Sequence, residues 1–227
     1  MKAVILAAGK GVRMLPLTND KPKVMIEVNG RPFLHYVIEN LKNAGIKEIG
    51  IVVGYRSDKV KQYFGEKFKY IEQKEQLGTA HAVLQARDFV GADDFLVIMG
   101  DNLYSSNDIL DISKKEEFYV SAFRSDTPSA YGVLETQSDM LVGISEKPAH
   151  PKSNLVNTGL YKMTPEIFEE ITKLRKSPRG EYELTDALSN LARHGKVRVY
   201  KLKDYWIDMS FKEQLPEIED KLKKLKL

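Results

Sequence analysis

The chain predicts an α/β protein built on a Rossmann-like, doubly wound mixed sheet with a strand-rich lobe. Three observations carry this expectation. Apolar runs alternate with amphipathic helical patterns through the first half, a glycine-rich loop follows the first run, and strands predominate after about residue 117. Alternating strands and helices argue for a parallel sheet covered on both faces. A loop at the C-terminal end of a strand is where such sheets bind ligands.

The elements follow in order. The apolar run 3–8 marks a first strand over 2–7, which empties into Gly9-Lys10-Gly11. A helix over 33–44 places Leu34, Val37, Ile38 and Leu41 on one face, and Gly45 ends it. Residues 49–53 are apolar throughout, as in a central parallel strand. A helix at 57–64 and a strand at 68–72 follow. The helix at 79–89 starts with Thr79, a residue suited to capping it. The strand at 94–99 ends in Gly100-Asp101, and a helix at 107–115 succeeds it. Strands at 118–123, 131–136, 140–145 and 157–162 then suggest an antiparallel insertion or lobe over the ligand. Helices at 165–174 and 182–193, a strand at 197–202 and a helix at 211–225 complete the chain. No repeat, low-complexity segment or linker divides it, so one domain over 1–227 is expected.

Composition narrows the chemistry. With no cysteine, disulfides, thiolate catalysis and zinc–sulfur sites are excluded together. The four histidines, at 35, 81, 150 and 194, have no metal-ligand spacing, and His81 reads as structural. The net charge of +3 is spread along the chain, unlike the dense basic face of a nucleic-acid binder. The lysines around 221–226 read as a solvated helix face. No apolar run reaches the ~18 residues of a membrane span. No signal-peptide pattern opens the chain. The expectation is a cytoplasmic protein with neither nucleic acid nor membrane as partner.

The loop after the first strand is the most informative segment. Glycines allow a sharp turn and close approach to a ligand, and the N–H groups of such a loop can cradle phosphate oxygens. Arg13 and Lys23 add the positive charge that a polyphosphate needs. A Walker A loop is excluded, because no Gly-Lys-Ser/Thr triplet opens a helix here. A dinucleotide fingerprint fails too, because Met14 stands where its third glycine would be.

Gly9, Gly11, Arg13, Met14, Pro16, Thr18, Pro22 and Lys23 together resemble the signature of the sugar-1-phosphate nucleotidylyltransferases, Gly-x-Gly-x-Arg-Met-x-Pro-x-Thr followed by Pro-Lys. The likeness extends over nearly the whole chain and implies the nucleotide-diphospho-sugar transferase fold. It also implies a division into a nucleotide-binding half (about 1–117), a sugar-binding half (about 118–210) and a C-terminal helix (211–227). Some relatives continue into a left-handed β-helix with acyltransferase activity; no hexapeptide-repeat tail follows the last helix here.

Further segments match family motifs. Residues 73–80, reading QKEQLGTA, imply a seat for the pyrimidine base, while Ala8, Gly9 and Gly11 of the loop bind the same nucleotide. Gln73 can donate and accept at once, complementing the O4 and N3–H edge of uracil or thymine. Gly78 lets the backbone close on the base, and Thr79 stands with it at a helix N-terminus that welcomes an anion. Asp101 at a strand end and Asp208 in the Trp-x-Asp segment 206–208 imply a magnesium site. The family often has Gly where Ser210 stands, and Ser210 suits a cap on the last helix. Gly132, Glu146, Lys147 and Asn157 match segments that line the sugar-phosphate site.

The resemblance implies a magnesium-dependent transfer from dTTP or UTP to a sugar 1-phosphate. Arg13 would hold the β- and γ-phosphates, and Lys23 would neutralise charge between the α-phosphate and the sugar phosphate. Glucose 1-phosphate is the favoured acceptor; N-acetylglucosamine, mannose or N-acetylmuramic acid 1-phosphate are alternatives. A non-catalytic nucleotide-sensing subunit would be expected to lose catalytic cations or carboxylates, and all four are present. Homo-oligomerisation is left open.

Overall fold

The computed structural model describes residues 1–227. In chain order the elements begin with β1 (Lys2–Ala7), β2 (Glu27–Val28), β3 (Arg31–Pro32), α1 (Phe33–Asn43), β4 (Glu48–Val53), α2 (Ser57–Phe64) and β5 (Lys69–Glu72). Then come α3 (Thr79–Gln85), α4 (Arg87–Val90), β6 (Phe95–Met99), β7 (Asn102–Tyr104) and α5 (Ser106–Ser113). The second half holds β8 (Phe118–Arg124), β9 (Gly132–Gln137), β10 (Met140–Glu146), β11 (Leu155–Met163), α6 (Ile167–Thr172) and α7 (Leu184–Arg193). β12 (Val197–Lys201), β13 (Trp206–Asp208) and α8 (Leu215–Leu225) close the chain.

Nine strands form one mixed sheet in the order β5-β4-β1-β6-β11-β8-β12-β10-β9. β1 lies between β4 and β6 and is parallel to both. β11 runs antiparallel to β6 and β8, so the strand-rich half continues the same sheet. The alternation of side chains along β1 shows why it is apolar at every position from Ala3 to Ala7. Ala3, Ile5 and Ala7 enter one core, and Val4 and Leu6 enter the other. Burying an Ile or Leu side chain contributes about 1.5–3 kcal/mol, so a strand covered twice has no polar face. The first core is covered by α1, α2, α5 and α8; the second by α3, α4, α6 and α7.

The expected helix over 79–89 is two helices, broken at Ala86 (φ −84°, ψ 1°). The last helix starts at Leu215 rather than 211, after a 3₁₀ turn at Lys212–Gln214. Two short ribbons were invisible to periodicity: β2 with β3, and β7 with β13. The second of these assembles the site.

Candidate active site

β1 delivers the glycine loop at its C-terminal end. Gly11 has φ +70°, and a Cβ there would stand 2.6 Å from the Cβ of Lys23. The position therefore demands glycine on two counts: backbone conformation and the passage of Lys23 beneath it. Met14, fully buried, anchors the 3₁₀ turn Val12–Met14 in the core. Arg13 on the same turn stays exposed, its guanidinium 5.3 Å from the centre of the Phe211 ring. Thr18 is buried and donates to the Gly11 carbonyl at 3.0 Å, closing the loop on itself. Lys23 is only 7% exposed, and its Nζ lies 2.6 Å from Asp101 Oδ2. A buried ammonium needs such a partner.

The β7–β13 ribbon places Asp208 opposite Asn102, beside Asp101. The Met209 N–H donates to the Asp101 carbonyl at 3.0 Å. Asn102 fastens the ribbon: its amide donates to Asp101 Oδ1 at 2.9 Å, and its Oδ1 accepts from the Trp206 indole at 2.6 Å. Burial pushes the Asp208 carboxyl above the usual range, and the Asp101 charge adds to this. The Ser210 hydroxyl, Lys23 and Arg13 oppose it. Ser210 does not cap the last helix. Its Oγ donates to both Asp208 oxygens, at 2.8 and 2.7 Å. Gln214 Oε1 takes the capping role, accepting from the N–H groups of Ser210 and Phe211 at 2.9 and 2.7 Å.

The donor set fits magnesium. Two carboxylates converge, with no third Asp, Glu, His or Cys to complete a closed cage. Magnesium prefers oxygen and usually takes one or two carboxylates, leaving positions for phosphate oxygens and water.

A first cavity, about 260 Å³, is lined by Ala8, Gly9, Gly11, Gln73, Gly78 and Thr79 together with Arg13, Lys23 and Asp101. Gln73 is almost fully buried, and its Nε2 donates to the Gly78 carbonyl at 3.1 Å. Because that carbonyl can only accept, the amide orientation is set. The NH₂ group turns toward Gly78, which leaves the carbonyl oxygen as the function best placed to face the cavity. Gly78 has φ +109°, and a Cβ there would meet the Tyr182 carbonyl at 2.5 Å. Tyr182 by itself is therefore enough to require glycine at this position. Nor does Thr79 cap its own helix; its hydroxyl accepts from the Leu184 N–H at 2.9 Å and ties α3 to the start of α7.

A second cavity, about 400 Å³, opens beside the first. Gly132, Glu146, Lys147 and Asn157 line it together, with Asp208. Asn157 is held rigidly: its Oδ1 accepts from the Gly159 N–H at 3.1 Å and its amide donates to the Tyr161 hydroxyl at 2.8 Å. Burial pushes the Tyr161 phenol up to about 12, so it stays a neutral hydroxyl. Lys147 holds a left-handed backbone (φ +42°). Arg179 also lines this cavity and was missed by motif reading. It pairs with Glu183 at 2.8 Å and reaches within 3.8 Å of Glu146. Its one sequence signal was the Arg-to-Glu spacing of four residues, which occurs on many surfaces. Arg13, Thr79, Met99 and Asp101 border both cavities.

Comparison with known proteins bears on the family and the fold. The family model described as "Nucleotidyl transferase" matches residues 2–224. The chain is 42% identical to the bifunctional protein GlmU of Methanocaldococcus jannaschii over 92% of its own length and 51% of that protein's. It thus spans about half the length of that relative. It is 36% identical to the UTP–glucose-1-phosphate uridylyltransferase AglF of Haloferax volcanii, over 98% of this chain and 96% of the relative. Among solved structures, a UDP-glucose pyrophosphorylase complexed with UDP-glucose superposes with a TM-score of 0.89 at 26% identity, covering 99% and 98% of the two chains. With its mixed sheet and glycine loop, and a family match from residue 2 to residue 224, the chain belongs to the nucleotidyl transferase family.

Proposed function

We propose that the chain transfers a nucleotidyl group from UTP or dTTP to a sugar 1-phosphate, giving a nucleotide sugar and pyrophosphate. The observation that carries this reading is the common wall of the two cavities, where Arg13 and Asp101 border both and Lys23 pairs with Asp101. A triphosphate in the first cavity and a sugar phosphate in the second would meet at that wall. A phosphate oxygen of the sugar attacks the α-phosphorus, and the bond to the departing pyrophosphate breaks. The attacking oxygen is already anionic, so no side-chain nucleophile or strong base is required. Catalysis is positioning and charge stabilisation.

Arg13 would hold the β- and γ-phosphates, and Lys23 the charge between the α-phosphate and the sugar phosphate. Ala8, Gly9 and Gly11 would pass close to the nucleotide, with Gln73, Gly78 and Thr79 around the base. Gly132, Glu146, Lys147 and Asn157 would receive the sugar and its phosphate. Asp101 and Asp208 would hold magnesium, which when bound offsets the negative charge of the phosphates. The uridylyl and UDP-glucose names of two similar proteins favour UTP and glucose 1-phosphate. No helix is long and apolar enough to cross a membrane. A cytoplasmic site of action, where nucleoside triphosphates are available, belongs to the same proposal.

The test is pyrophosphate release with UTP, dTTP, CTP, ATP and GTP against several sugar 1-phosphates, with and without chelator. UTP or dTTP with a hexose 1-phosphate should be turned over, and chelation should stop it. Lys23→Ala should lower kcat by about 10²-fold or more, the scale of a lost charge-stabilising donor. Turnover that survives excess chelator overturns the metal assignment, and near-normal turnover in Lys23→Ala overturns the site.

A further inference from the structure

We infer that His81 is a positioning residue for base selection: its imidazole holds the Gln73 amide so that only a carbonyl oxygen faces the nucleotide cavity. The inference rests on the proposed nucleotide site and adds a residue to it. Gln73 Nε2 lies 3.1 Å from the Gly78 carbonyl and 3.0 Å from His81 Nδ1. Both N–H groups are therefore directed into the wall. Gln73 Oε1 has no protein partner, yet no side-chain oxygen or nitrogen in the molecule is both sealed from solvent and unpaired. That oxygen must keep an opening, and the cavity that Gln73 lines provides it.

The other side of the ring decides the tautomer. Gln85 Nε2 donates to the His81 main-chain carbonyl at 3.2 Å, and also lies 3.2 Å from His81 Nε2. Each glutamine is oriented by a carbonyl, and each turns an N–H toward a ring nitrogen. A neutral imidazole has one acceptor nitrogen, so it can serve only one of them. The Gln73 contact is the shorter, and Gln73 is the more buried amide. Nδ1 accepts, and Nε2 carries the proton.

This arrangement has a consequence for specificity. Uracil and thymine present N3–H, a donor that matches a fixed carbonyl. Cytosine presents a lone pair at N3, which the same carbonyl repels. A seat whose polarity is locked discriminates between them, because the wrong base leaves a buried acceptor unpaired. Without His81 only the Gly78 carbonyl holds the amide, so turning it over to offer its NH₂ group to cytosine costs one hydrogen bond less.

The experiment measures kcat/KM for UTP, dTTP and CTP with glucose 1-phosphate in wild type, His81→Leu and His81→Asn, with thermal melts as the folding control. His81→Leu should lower the UTP-to-CTP ratio roughly tenfold or more, chiefly through KM for UTP, the scale of one lost hydrogen bond. His81→Asn, which keeps an acceptor near the Nδ1 position, should stay within about threefold of wild type on the same scale. Nitrogen-15 NMR of the wild-type ring should show the Nε2–H tautomer, a reading that needs no variant to fold. An unchanged ratio in a folded His81→Leu protein overturns the inference alone. So does an Nδ1–H tautomer, or an Asn variant that behaves like Leu. A wild-type preference for CTP or a purine overturns the base assignment and this inference with it.

Discussion

Asp208 shows how a site residue can work against the fold that holds it. Burial raises its carboxyl above the usual range, and the neighbouring Asp101 raises it further. A folded state that prefers the protonated carboxyl is stabilised by this group below the unfolded carboxylate value. That contribution is lost as pH rises through the raised folded value. At neutral pH the ionised Asp208 is thus a burden on the metal-free protein. Asp208→Asn should raise the melting temperature in chelator at neutral pH by about 2 °C or more, the shift that ~1 kcal/mol gives in a chain of this size. It should also flatten the carboxylate part of the stability profile and lower activity. Calorimetry from pH 4 to 8 checks this, and a lowered melting temperature at pH 7 counts against it. At the residue scale, the loop and carboxylate positions were legible because a fixed motif named them. His81 and Arg179 were not. A histidine on a helix and an arginine in a polar turn acquire meaning only from what the fold sets beside them.

Among the elements, β1, β4 and β6 were readable because a strand covered on both faces is apolar at each position, a pattern independent of its partners. β7 and β13 were not, since three residues are too few for any period to show. Their pairing joins Trp206 to Asn102, 104 positions apart. The break between α3 and α4 was hidden for a related reason: the apolar period runs on through Ala86, and only the local backbone departs. The segment before α3 carries the sharpest local demand. Gly78 sits at φ +109° with the Tyr182 backbone against it, and its carbonyl anchors Gln73. Gly78→Ala should lower the melting temperature by roughly 4 °C or more, because an L side chain is strained there whatever its size. It should also raise KM for the nucleotide by loosening Gln73. Thermal melts with nucleotide titration test both effects, and unaltered values for the two would refute the steric argument.

Over the whole molecule, one sheet serves two tasks. In its parallel half, β5 to β6, β1 runs into the glycine loop, and β9, β10 and β11 contribute to the wall of the second cavity. The class of fold was legible because alternation and covering follow from local composition. The order of the strands was not, because β11 reverses direction beside β6 for reasons that lie in long-range packing.

The β7–β13 ribbon also bears on how activity is acquired during folding. Asp101 lies near the middle of the chain and Asp208 close to its end, 107 positions later, and no local segment brings them together. Closing so long a loop is among the slower and more entropically demanding events in assembling a domain. Every intermediate in which the C-terminal segment has not docked will have a formed phosphate loop but a divided carboxylate pair. Refolding from denaturant should therefore restore helical content and Trp206 fluorescence in different phases, with catalytic activity following Trp206. Enzymatic recovery that tracks the earlier helical phase would contradict this. During synthesis, too, the proposed carboxylate pair stays incomplete until the last strand has left the ribosome and found its partner.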